Sequence, residues 1–516
     1  MNSSQSIVST KSGKVEGFVH NDLHVFKGIP YAAPPVGKLR WQPPQPVEPW
    51  SGVRPAREYG PISWQNVMAA PPDTPGFPDF GHQPMNEDCL SLNIWTPGLD
   101  DARRAVLVWI HGGAFIIGSG TEGFLEDGVL AKRGDVVVVS INYRLGALGF
   151  INLNEVTNGR IPATGNEGLL DQVAALEWVR DNIAAFGGDP GNVTVGGFSA
   201  GGMSIGTLLA MPAARGTFQK AMNRSGATNV VETIDSAAAF AARYLELLGL
   251  KGTDIDKLYD FSPGQLMDAQ QELGTLLRST QYRATPFQPV IDGSVVPEMP
   301  IVAIRNGSAK DITLMAGNMR DELKSTYAMD PNIRAMDRNG VIQRLSLMLP
   351  DDFVPGLVDT YTATKTARGE TANPPDVLGA INTDLMFRIP TVRLVEAQRD
   401  NGAKAYNYLF LHRSPALGGA LGAMHGLDNP FLFGDLDDRF TGNTPELMAL
   451  AEKVQDSAVA FMKTGDPSCE SAGKWPVYGR DRATMLWDAD ARVEKAPFEE
   501  ERAAWDGHDI LNFRPM

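Results

Sequence analysis

The sequence predicts an α/β protein with a large, mostly parallel central sheet flanked by helices. Three short segments are continuously apolar, which is typical of strands buried on both faces; they are residues 92–95, 105–110 and 136–141. A helix capped by Asn166 follows, and its apolar positions share one face: Leu169, Val173, Leu176, Val179 and Ile183. Another strand, residues 193–198, comes next, and strands that alternate with helices predict a doubly wound fold.

The two ends of the chain differ from this alternating middle. Residues 7–10 and 14–18 flank a Ser-Gly turn and predict an N-terminal β hairpin. The C-terminal half adds strands at 312–316 and 405–410 with helical insertions around them, and Pro390 is expected to break or kink the chain between two of these helices. The helices are predicted at residues 236–250, 377–387, 391–398 and 446–462.

Length and composition are those of a large globular protein. The chain has 516 residues, of which 43% are hydrophobic and 21% charged, so it can bury a sizeable core without disulfides or metals. The proline-rich segment 69–84 is interpreted as a surface loop, and we therefore expect one domain over residues 1–516. The formal net charge of -15 disfavours nucleic acid and anionic membrane surfaces as partners.

The N-terminal residues and the cysteines indicate a cytoplasmic protein. Residues 1–8 contain no basic segment followed by an apolar core, as a signal peptide would. Even the longest apolar runs are too short to span a bilayer, so membrane insertion is not expected. Cys89 and Cys469 cannot form a disulfide framework, and neither has the spacing of a metal ligand.

The most informative motif is Gly197-Phe-Ser-Ala-Gly201, which ends the predicted strand 193–198. A serine between two such glycines can occupy a strained strand-to-helix turn with its hydroxyl exposed, because a Cβ at either glycine would clash in so tight a bend. The motif alone is weak, since short glycine patterns arise by chance. With a strand before it and small residues after it, Ser199 is the candidate nucleophile.

A second glycine-rich motif, His111-Gly-Gly-Ala-Phe115, follows the predicted strand 105–110. Acyl transfer passes through a tetrahedral oxyanion, which needs backbone N–H donors aimed at one point. Small residues let the backbone approach the substrate that closely. The expected donors are the amides of Gly113, Ala114 and Ala200, with an ordinary glycine-rich turn as the alternative for this motif.

Such a serine needs an acid and a histidine later in the chain, in that order. Three of the seven histidines follow it: His412, His425 and His508. His425 lies between small residues in a loop, so its imidazole can reach the end of another strand, and it is the predicted base. The acid is expected just after strand 312–316, where Asp321 and Glu322 are adjacent and local chemistry does not choose between them.

Further motifs occur in a fixed order along almost the whole chain: FKGIPYA at 26–32, PPVG at 34–37, EDCL at 87–90, HGGAF at 111–115, NYR at 142–144, FGGDP at 186–190, GFSAGG at 197–202 and HG at 425–426. In these motifs the chain resembles the type-B carboxylesterase and cholinesterase family of α/β-hydrolases. Its acidic, cysteine-poor composition is most similar to that of the bacterial para-nitrobenzyl-type esterases.

The resemblance implies an α/β-hydrolase fold whose catalytic triad is Ser199, Glu322 and His425, so that Glu322 is preferred over Asp321. It implies the same three oxyanion amides, a supporting serine at Ser225, and no metal or organic cofactor. It also implies two structural ion pairs, Arg40 with Glu87 and Arg144 with Asp171.

The chain departs from the family pattern at three places. Phe198 stands where most members have a glutamate directly before the nucleophile, which makes the site more apolar and removes an expected preference for cations. Segment 78–81 lacks the tryptophan with which cholinesterases stack a choline head group, so a cholinesterase is not expected. Cys89 matches a family cysteine, but Ser63 stands at the position of its disulfide partner, which fits a reducing compartment.

Together these residues predict a serine carboxylesterase that hydrolyses uncharged esters, with short or medium acyl chains or aryl alcohols, through an acyl-serine intermediate. Alternatives are amide, carbamate or lactone hydrolysis by the same triad, and a non-catalytic binding or adhesion protein. The expected partner is a small-molecule ester, and the oligomeric state, monomer or dimer, stays open. Candidates for an apolar substrate pocket, with core packing as the alternative, are Phe115, Ile116, Phe198, Phe287, Leu323, Phe387 and Met424.

Overall fold

A computed structural model describes residues 6–66, 83–226, 228–251, 254–281 and 286–508. The strands are β1 Ser6–Thr10, β2 Gly13–His20, β3 Leu23–Pro30, β4 Val53–Pro55, β5 Ser91–Thr96, β6 Arg104–Ile110, β7 Val137–Ile141, β8 Gly188–Phe198, β9 Lys220–Arg224, β10 Glu232–Thr233, β11 Val290–Ile291, β12 Thr313–Met319, β13 Ala405–Phe410, β14 Ala483–Trp487 and β15 Arg492–Lys495. The predicted segment 78–81 and most of the predicted loop 69–84 lie outside these ranges.

The helices surround the sheet and, in the C-terminal half, form a cluster of their own. They are α1 Val129–Gly134, α2 Gly146–Gly149, α3 Leu153–Val156, α4 Glu167–Asn182, α5 Ala200–Leu208, α6 Ile234–Leu247, α7 Pro263–Gln281, α8 Pro300–Arg305, α9 Lys324–Met329, α10 Pro331–Arg334, α11 Arg338–Leu345, α12 Val354–Ala367, α13 Pro374–Thr383, α14 Ile389–Asp400, α15 Asn429–Phe433, α16 Pro445–Thr464 and α17 Glu499–Ala503. Residues of α11, α12 and α13 share a third apolar core, separate from the two cores against the sheet.

In the described ranges, thirteen strands form one sheet in the order β1-β2-β3-β5-β7-β6-β8-β9-β12-β13-β14-β15, with β4 beside β2. Neighbours from β7 to β14 are parallel. Antiparallel strands, including the predicted β1–β2 hairpin, form the two edges. The predicted large, mostly parallel sheet with flanking helices is therefore confirmed.

Strand β6 shows why the sequences of the central strands are continuously apolar. Val106, Val108 and Ile110 belong to the core on one face of the sheet, whereas Leu107 and Trp109 belong to the core on the other. Successive side chains of a strand point to opposite faces. A strand covered by helices on both sides must therefore be apolar at every position.

Three local predictions need correction. The chain stays helical through Pro390: a π-helical turn, Asp384–Arg388, joins α13 to α14, and Pro390 lies in the first turn of α14. Since proline has no N–H for the preceding turn, the helix changes its winding there instead of ending. Asn166 occupies the N-cap of α4 without a capping hydrogen bond, because its side chain pairs with the backbone of Val290. Strand β8 already begins at Gly188.

The parallel strands bring their carboxyl ends to one edge of the sheet. Gly197 pairs in register with Ile110 on β6, and Phe198 with Arg224 on β9. Arg224 in turn pairs with Gly317 on β12. The residues that directly follow these strands are consequently neighbours in space, although they are far apart in the sequence.

Candidate active site

Ser199 lies on a sharp turn between β8 and α5. Its backbone dihedrals, φ 55° and ψ -125°, are in a region that side-chain-bearing residues rarely adopt. The turn is held because the Ser199 N–H donates to the Arg224 carbonyl at 3.0 Å and the Met203 N–H donates to the Ser199 carbonyl at 2.8 Å. Ser199 is half-buried. A nucleophile elbow of this kind presents the hydroxyl at the carboxyl edge of the sheet.

The flanking glycines are required by close packing against β6. A Cβ on Gly197 would lie 2.7 Å from the Ile110 carbonyl oxygen, and one on Gly201 would lie 2.0 Å from the same atom. Both distances are below any real Cβ contact, so only glycine fits at these positions. The elbow is thereby fixed directly beside the loop that follows Ile110.

The predicted acid and histidine meet at this edge. His425 Nδ1 lies 2.5 Å from Glu322 Oε2, and the other carboxylate oxygen, Oε1, accepts a hydrogen bond from the Met319 N–H at 2.8 Å. The Glu322 side chain is fully buried, whereas the His425 side chain is 26% exposed. The carboxylate therefore orients the ring from behind and leaves one side of it accessible.

Two opposing effects act on the pKa of His425. Burial lowers it, while the negative charge of Glu322 and the hydrogen bond that the ring donates to Glu322 raise it; a smaller contribution from the charge of Asp428 also raises it. The net result is a pKa above the ordinary histidine value. A buried carboxylate that stabilises the imidazolium is the arrangement that lets a histidine accept a proton from a serine.

Asp321, the alternative acid, has a different partner. Its Oδ2 accepts a hydrogen bond from the Ala423 N–H at 3.0 Å, and its own N–H donates to the Ala423 carbonyl at 3.1 Å. A Cβ on Gly422, where φ is +64°, would lie 2.5 Å from the same carboxylate oxygen. Asp321 thus contacts the backbone of the histidine loop, and Glu322 contacts the ring.

The other two candidate histidines lie in different surroundings. His412 Nε2 is 2.8 Å from the Thr441 carbonyl, and burial lowers its pKa. His508 stacks on Phe353 with ring centroids 3.6 Å apart. Of the three histidines after the serine, the structure brings His425 to a carboxylate at the edge where Ser199 lies.

A buried ion pair that the sequence analysis missed connects the nucleophile with the histidine loop. Arg224 Nη2 lies 2.5 Å from Asp428 Oδ2 and donates to the Asp428 carbonyl at 3.1 Å; Tyr408 donates to Asp428 Oδ2 at 3.1 Å. Both charged side chains are at most 4% exposed. The position of Asp428, three residues after His425, was the available signal, but Arg224 is remote from it in the sequence.

The loop 111–118, called the oxyanion loop below, has an irregular backbone. Gly113, Ala114 and Phe115 have φ values of 109°, 53° and 63°, and a Cβ on Gly113 would lie 2.0 Å from the Ile117 carbonyl oxygen. Within the described residues the Gly113 and Ala114 amides donate no hydrogen bond. The amide of Ala200, the first residue of α5, has no acceptor within its own helix. Within the described residues, none of the three predicted donor amides is thus paired with a backbone carbonyl.

His111, the first residue of the oxyanion loop, stabilises the loop through its ring. Its ring stacks on Tyr143 with centroids 4.4 Å apart, and its Nδ1 is 2.8 Å from the Gly112 carbonyl oxygen, which assigns the proton to Nδ1. Burial lowers the His111 pKa to about 4. The imidazole is therefore neutral at physiological pH, and it contributes a hydrogen bond but no charge to the loop.

Two aromatic residues of the predicted pocket contact the histidine ring. The ring centroids of Phe198 and Phe387 lie 5.9 Å and 5.2 Å from that of His425. Phe198 is also stacked on Trp109 at 6.3 Å, and its Cζ would lie 2.8 Å from a Cβ on Gly112. Phe198 therefore fills the space between the oxyanion loop and the histidine loop.

The remaining pocket candidates are distributed differently. Phe115 and Phe287 are buried in the core, where they pack against Phe150 and Tyr244. Met424 is buried next to His425, whereas Ile116 and Leu323 are half-buried at the edge of the core. The structure thus places Phe198 and Phe387 against the His425 ring, with Met424 buried beside it in the chain.

Ser225 lies below this site with φ 44°. It is buried, its N–H donates to the Gly317 carbonyl at 2.8 Å, and its hydroxyl has no hydrogen-bond partner among the described residues.

Both implied ion pairs are confirmed: Arg40 Nε to Glu87 Oε1 at 2.5 Å, and Arg144 Nη2 to Asp171 Oδ1 at 2.7 Å.

The cysteine environment also agrees with the sequence analysis. Cys89 is buried and Cys469 half-buried, and both are free thiols. Ser63 and Cys89 line the same small cavity, so the two residues are neighbours in the fold. In the part of the chain that the structure describes, no group of three potential ligands could hold a metal ion. None of the helices in the described ranges has the length and apolar character that crossing a membrane requires.

Comparison with known proteins identifies the family and the fold of the chain. The profile of the carboxylesterase family matches residues 4–505. The chain is 38% identical over 501 residues to the para-nitrobenzyl esterase of Bacillus subtilis, with 96% of this chain and 97% of that one covered. It is 36% identical over 502 residues to the phenmedipham hydrolase of Pseudarthrobacter oxydans, with 95% and 96% covered. The structure superposes on the carboxylesterase EST55 of Geobacillus stearothermophilus with a TM-score of 0.86 at 36% identity, covering 97% of this chain and 100% of that one.

Proposed function

The chain belongs to the carboxylesterase family, and from this premise we propose that it hydrolyses uncharged carboxylic esters with Ser199, Glu322 and His425 as its catalytic triad. The observation that carries the assignment is the 2.5 Å contact between His425 and the buried Glu322, at the same sheet edge as the strained Ser199. Nucleophile, orienting acid and base occur along the chain in the order that this fold requires.

In the first half-reaction His425 takes the proton of the Ser199 hydroxyl while Oγ attacks the ester carbonyl. Glu322 holds the ring in the required tautomer and stabilises its positive form. Neutral serine is a poor nucleophile, so the histidine is indispensable. The C–O bond to the alcohol then breaks, the alcohol leaves with the proton from His425, and an acyl-serine remains.

The oxyanion that forms during this attack accepts hydrogen bonds from the amides of Gly113, Ala114 and Ala200. One such donor contributes about 3 kcal/mol to lowering the barrier. In the second half-reaction His425 removes a proton from water, whose oxygen attacks the acyl-serine carbonyl. The bond to Ser199 Oγ then breaks, Oγ takes the proton back from His425, and the acid is released. Proton transfer and amide hydrogen bonds supply every step, so the proposal requires no metal or organic cofactor.

The substrate class follows from the aromatic side chains around the histidine. Phe198 and Phe387 present apolar surface beside His425, which favours uncharged esters with short or medium acyl chains or aryl alcohols. The name of the Bacillus subtilis relative, a para-nitrobenzyl esterase, points to aryl-containing substrates. A small-molecule ester is thus the proposed partner.

The proposal also includes one domain and a cytoplasmic location. Strands from near both ends of the described chain, β1 and β15, belong to the same sheet, which supports a single domain over residues 1–516. The two free thiols support a reducing compartment.

Initial rates on para-nitrophenyl esters from acetate to laurate test the proposal, with wild type and Ser199→Ala in parallel. A fast wild type and an inactive variant are expected, and the optimum chain length measures the acyl pocket. If the folded wild type hydrolysed none of these esters, or Ser199→Ala retained full activity, the proposal would be wrong. Matching para-nitroanilides test amide hydrolysis under the same conditions.

A further inference from the structure

Gln65 makes an unusual pair of hydrogen bonds with the end of the oxyanion loop. The Gly118 N–H donates to Gln65 Oε1 at 2.8 Å, and Gln65 Nε2 donates back to the Gly118 carbonyl at 3.1 Å. The Gln65 side chain is buried. A side-chain amide thus pairs with both polar groups of one residue, much as a neighbouring strand would.

Gly118 in turn packs against the rear of a proposed oxyanion donor. Its φ is +110°, and a Cβ there would lie 2.4 Å from both the Gly112 carbonyl oxygen and His111 Nδ1. The Gly112 carbonyl and the Gly113 N–H belong to the same planar peptide unit and point in opposite directions. A movement of Gly118 toward the Gly112 carbonyl would therefore push on this peptide and change the direction of the Gly113 N–H.

The same network reaches the other side of the loop. Gln65 Nε2 also donates to the Ser63 carbonyl at 3.1 Å, and the Ser63 hydroxyl accepts from the Leu145 N–H at 3.2 Å. The next residue, Gly146, donates its N–H to the Phe115 carbonyl at 2.7 Å. The loop is thus held at both Phe115 and Gly118.

We propose that Gln65 is a positioning residue of the reaction: by pairing with Gly118 it fixes the 112–113 peptide so that the Gly113 N–H points at the oxyanion. This inference rests on the proposed oxyanion role of that amide. Losing a donor outright lowers kcat about 10²–10³-fold. A donor that is present but misdirected costs less, and about a tenfold loss is expected.

The test compares Gln65→Met with Gln398→Met. Methionine keeps the length of the side chain and removes its hydrogen bonds. Gln398 is a matched control because it is fully buried and also donates to two backbone carbonyls, those of Ala309 and Ile312, at 3.0 Å each, away from the site. The readouts are kcat and KM for para-nitrophenyl acetate, thermal midpoint, and affinity for an alkyl trifluoromethyl ketone.

The ketone reports on the oxyanion contacts directly. Ser199 Oγ adds to its carbonyl carbon, the π electron pair of the carbonyl becomes the alkoxide, and the serine proton moves to His425. Gln65→Met is expected to lower kcat about tenfold, to change KM less than threefold, and to weaken ketone binding by the same factor as kcat/KM. Gln398→Met should lower the thermal midpoint and leave kcat and ketone affinity unchanged.

Wild-type kcat and ketone affinity in folded Gln65→Met would overturn the inference. If Gln65→Met did not fold, Gln65→Glu decides instead, because it keeps the shape and the acceptor for the Gly118 N–H but removes the donor. A parallel loss of kcat and ketone affinity supports the inference, and unchanged values overturn it. Ser199→Ala distinguishes a failure of the proposed function from a failure of the Gln65 inference. Full activity in that variant refutes the proposed function itself, whatever the result for Gln65.

Discussion

Arg224 and Asp428 form a buried ion pair, with Nη2 and Oδ2 2.5 Å apart, beneath the edge where the nucleophile and the histidine lie. The Arg224 carbonyl accepts the Ser199 N–H, and Asp428 follows His425 by three residues. The pair therefore ties the backbone that shapes the elbow to the loop that carries the base. It is a connection between two catalytic elements that share no other side-chain ion pair within the described ranges.

Breaking this pair should destabilise the protein strongly. Removal of one partner leaves a buried charge uncompensated, so Arg224→Met and Asp428→Asn are each expected to cost about 3–5 kcal/mol. Chemical unfolding measures the loss, and the double replacement Arg224→Met with Asp428→Leu should cost less than the sum of the single ones. Asp359→Asn is the control, because it breaks an exposed Arg–Asp pair with Arg338 and should cost at most about 1 kcal/mol. Additive effects at the buried pair would contradict this prediction.

The pH dependence of activity should follow the raised pKa of His425. Because the reaction needs the neutral ring, kcat/KM should rise with pH through a pKa above the ordinary value of about 6.5. Glu322→Gln removes the charge that raises this pKa, so the acid limb should move to lower pH while kcat falls by about 10⁴-fold.

A pH–rate profile with a neutral ester measures both quantities. Asp428→Asn is expected to move the acid limb in the same direction by a smaller amount, since its charge contributes less than that of Glu322. An acid limb that stayed in place in Glu322→Gln would show that another group controls the reaction.

Asp321 and Glu322 should not be interchangeable. Asp321 supports the histidine loop through the Ala423 N–H, which an asparagine oxygen can also accept. Asp321→Asn should therefore keep kcat within about threefold, whereas Asp321→Ala leaves that N–H without its partner and should lower kcat about tenfold. Asp292→Ala is the control, because Asp292 likewise accepts from backbone N–H groups, those of Ser294 and Val296, and does not contact the histidine loop in the described structure. Equal activity of Asp321→Ala and wild type would refute the supporting role.

Phe198 should determine the charge preference of the site. Its ring lies beside His425 and fills the space up to Gly112, where a cationic alcohol group would meet no compensating charge. Phe198→Glu places a carboxylate there and should raise the ratio of kcat/KM for acetylcholine over 3,3-dimethylbutyl acetate, an uncharged ester of the same shape, by at least about tenfold. Phe198→Gln supplies a polar control without charge. An unchanged ratio in Phe198→Glu would place the alcohol group elsewhere.

The sequence alone locates those parts of the site that are formed by residues adjacent in the chain. The turn at Ser199 and the loop at Gly113 and Ala114 follow directly from strands with glycines at their ends, so both could be located before the structure. Chain order and small neighbouring residues identify His425. The choice of Glu322 over Asp321 was not available from local chemistry, because adjacent side chains at a strand end point in different directions and only the tertiary structure shows their partners.

The features of the site that the sequence does not predict are contacts between residues far apart in the chain. Gln65 is hydrogen-bonded to Gly118 across a separation of 53 residues, and Arg224 to Asp428 across 204. No local sequence pattern predicts either contact. The π-helical turn at 384–388, which brings Phe387 to the histidine, arises where Pro390 disrupts regular winding. Its position depends on packing that a sequence pattern does not contain.

The most direct measurement is to trap the intermediate on the enzyme. The protein is mixed with para-nitrophenyl acetate, quenched in acid within the first turnover, digested and analysed by mass spectrometry. An acetyl group on the peptide that contains Ser199, at a stoichiometry equal to the initial burst of para-nitrophenol and absent from Ser199→Ala, is the expected result. A burst without label on Ser199, or label on another residue that Ser199→Ala retains, would contradict the assignment.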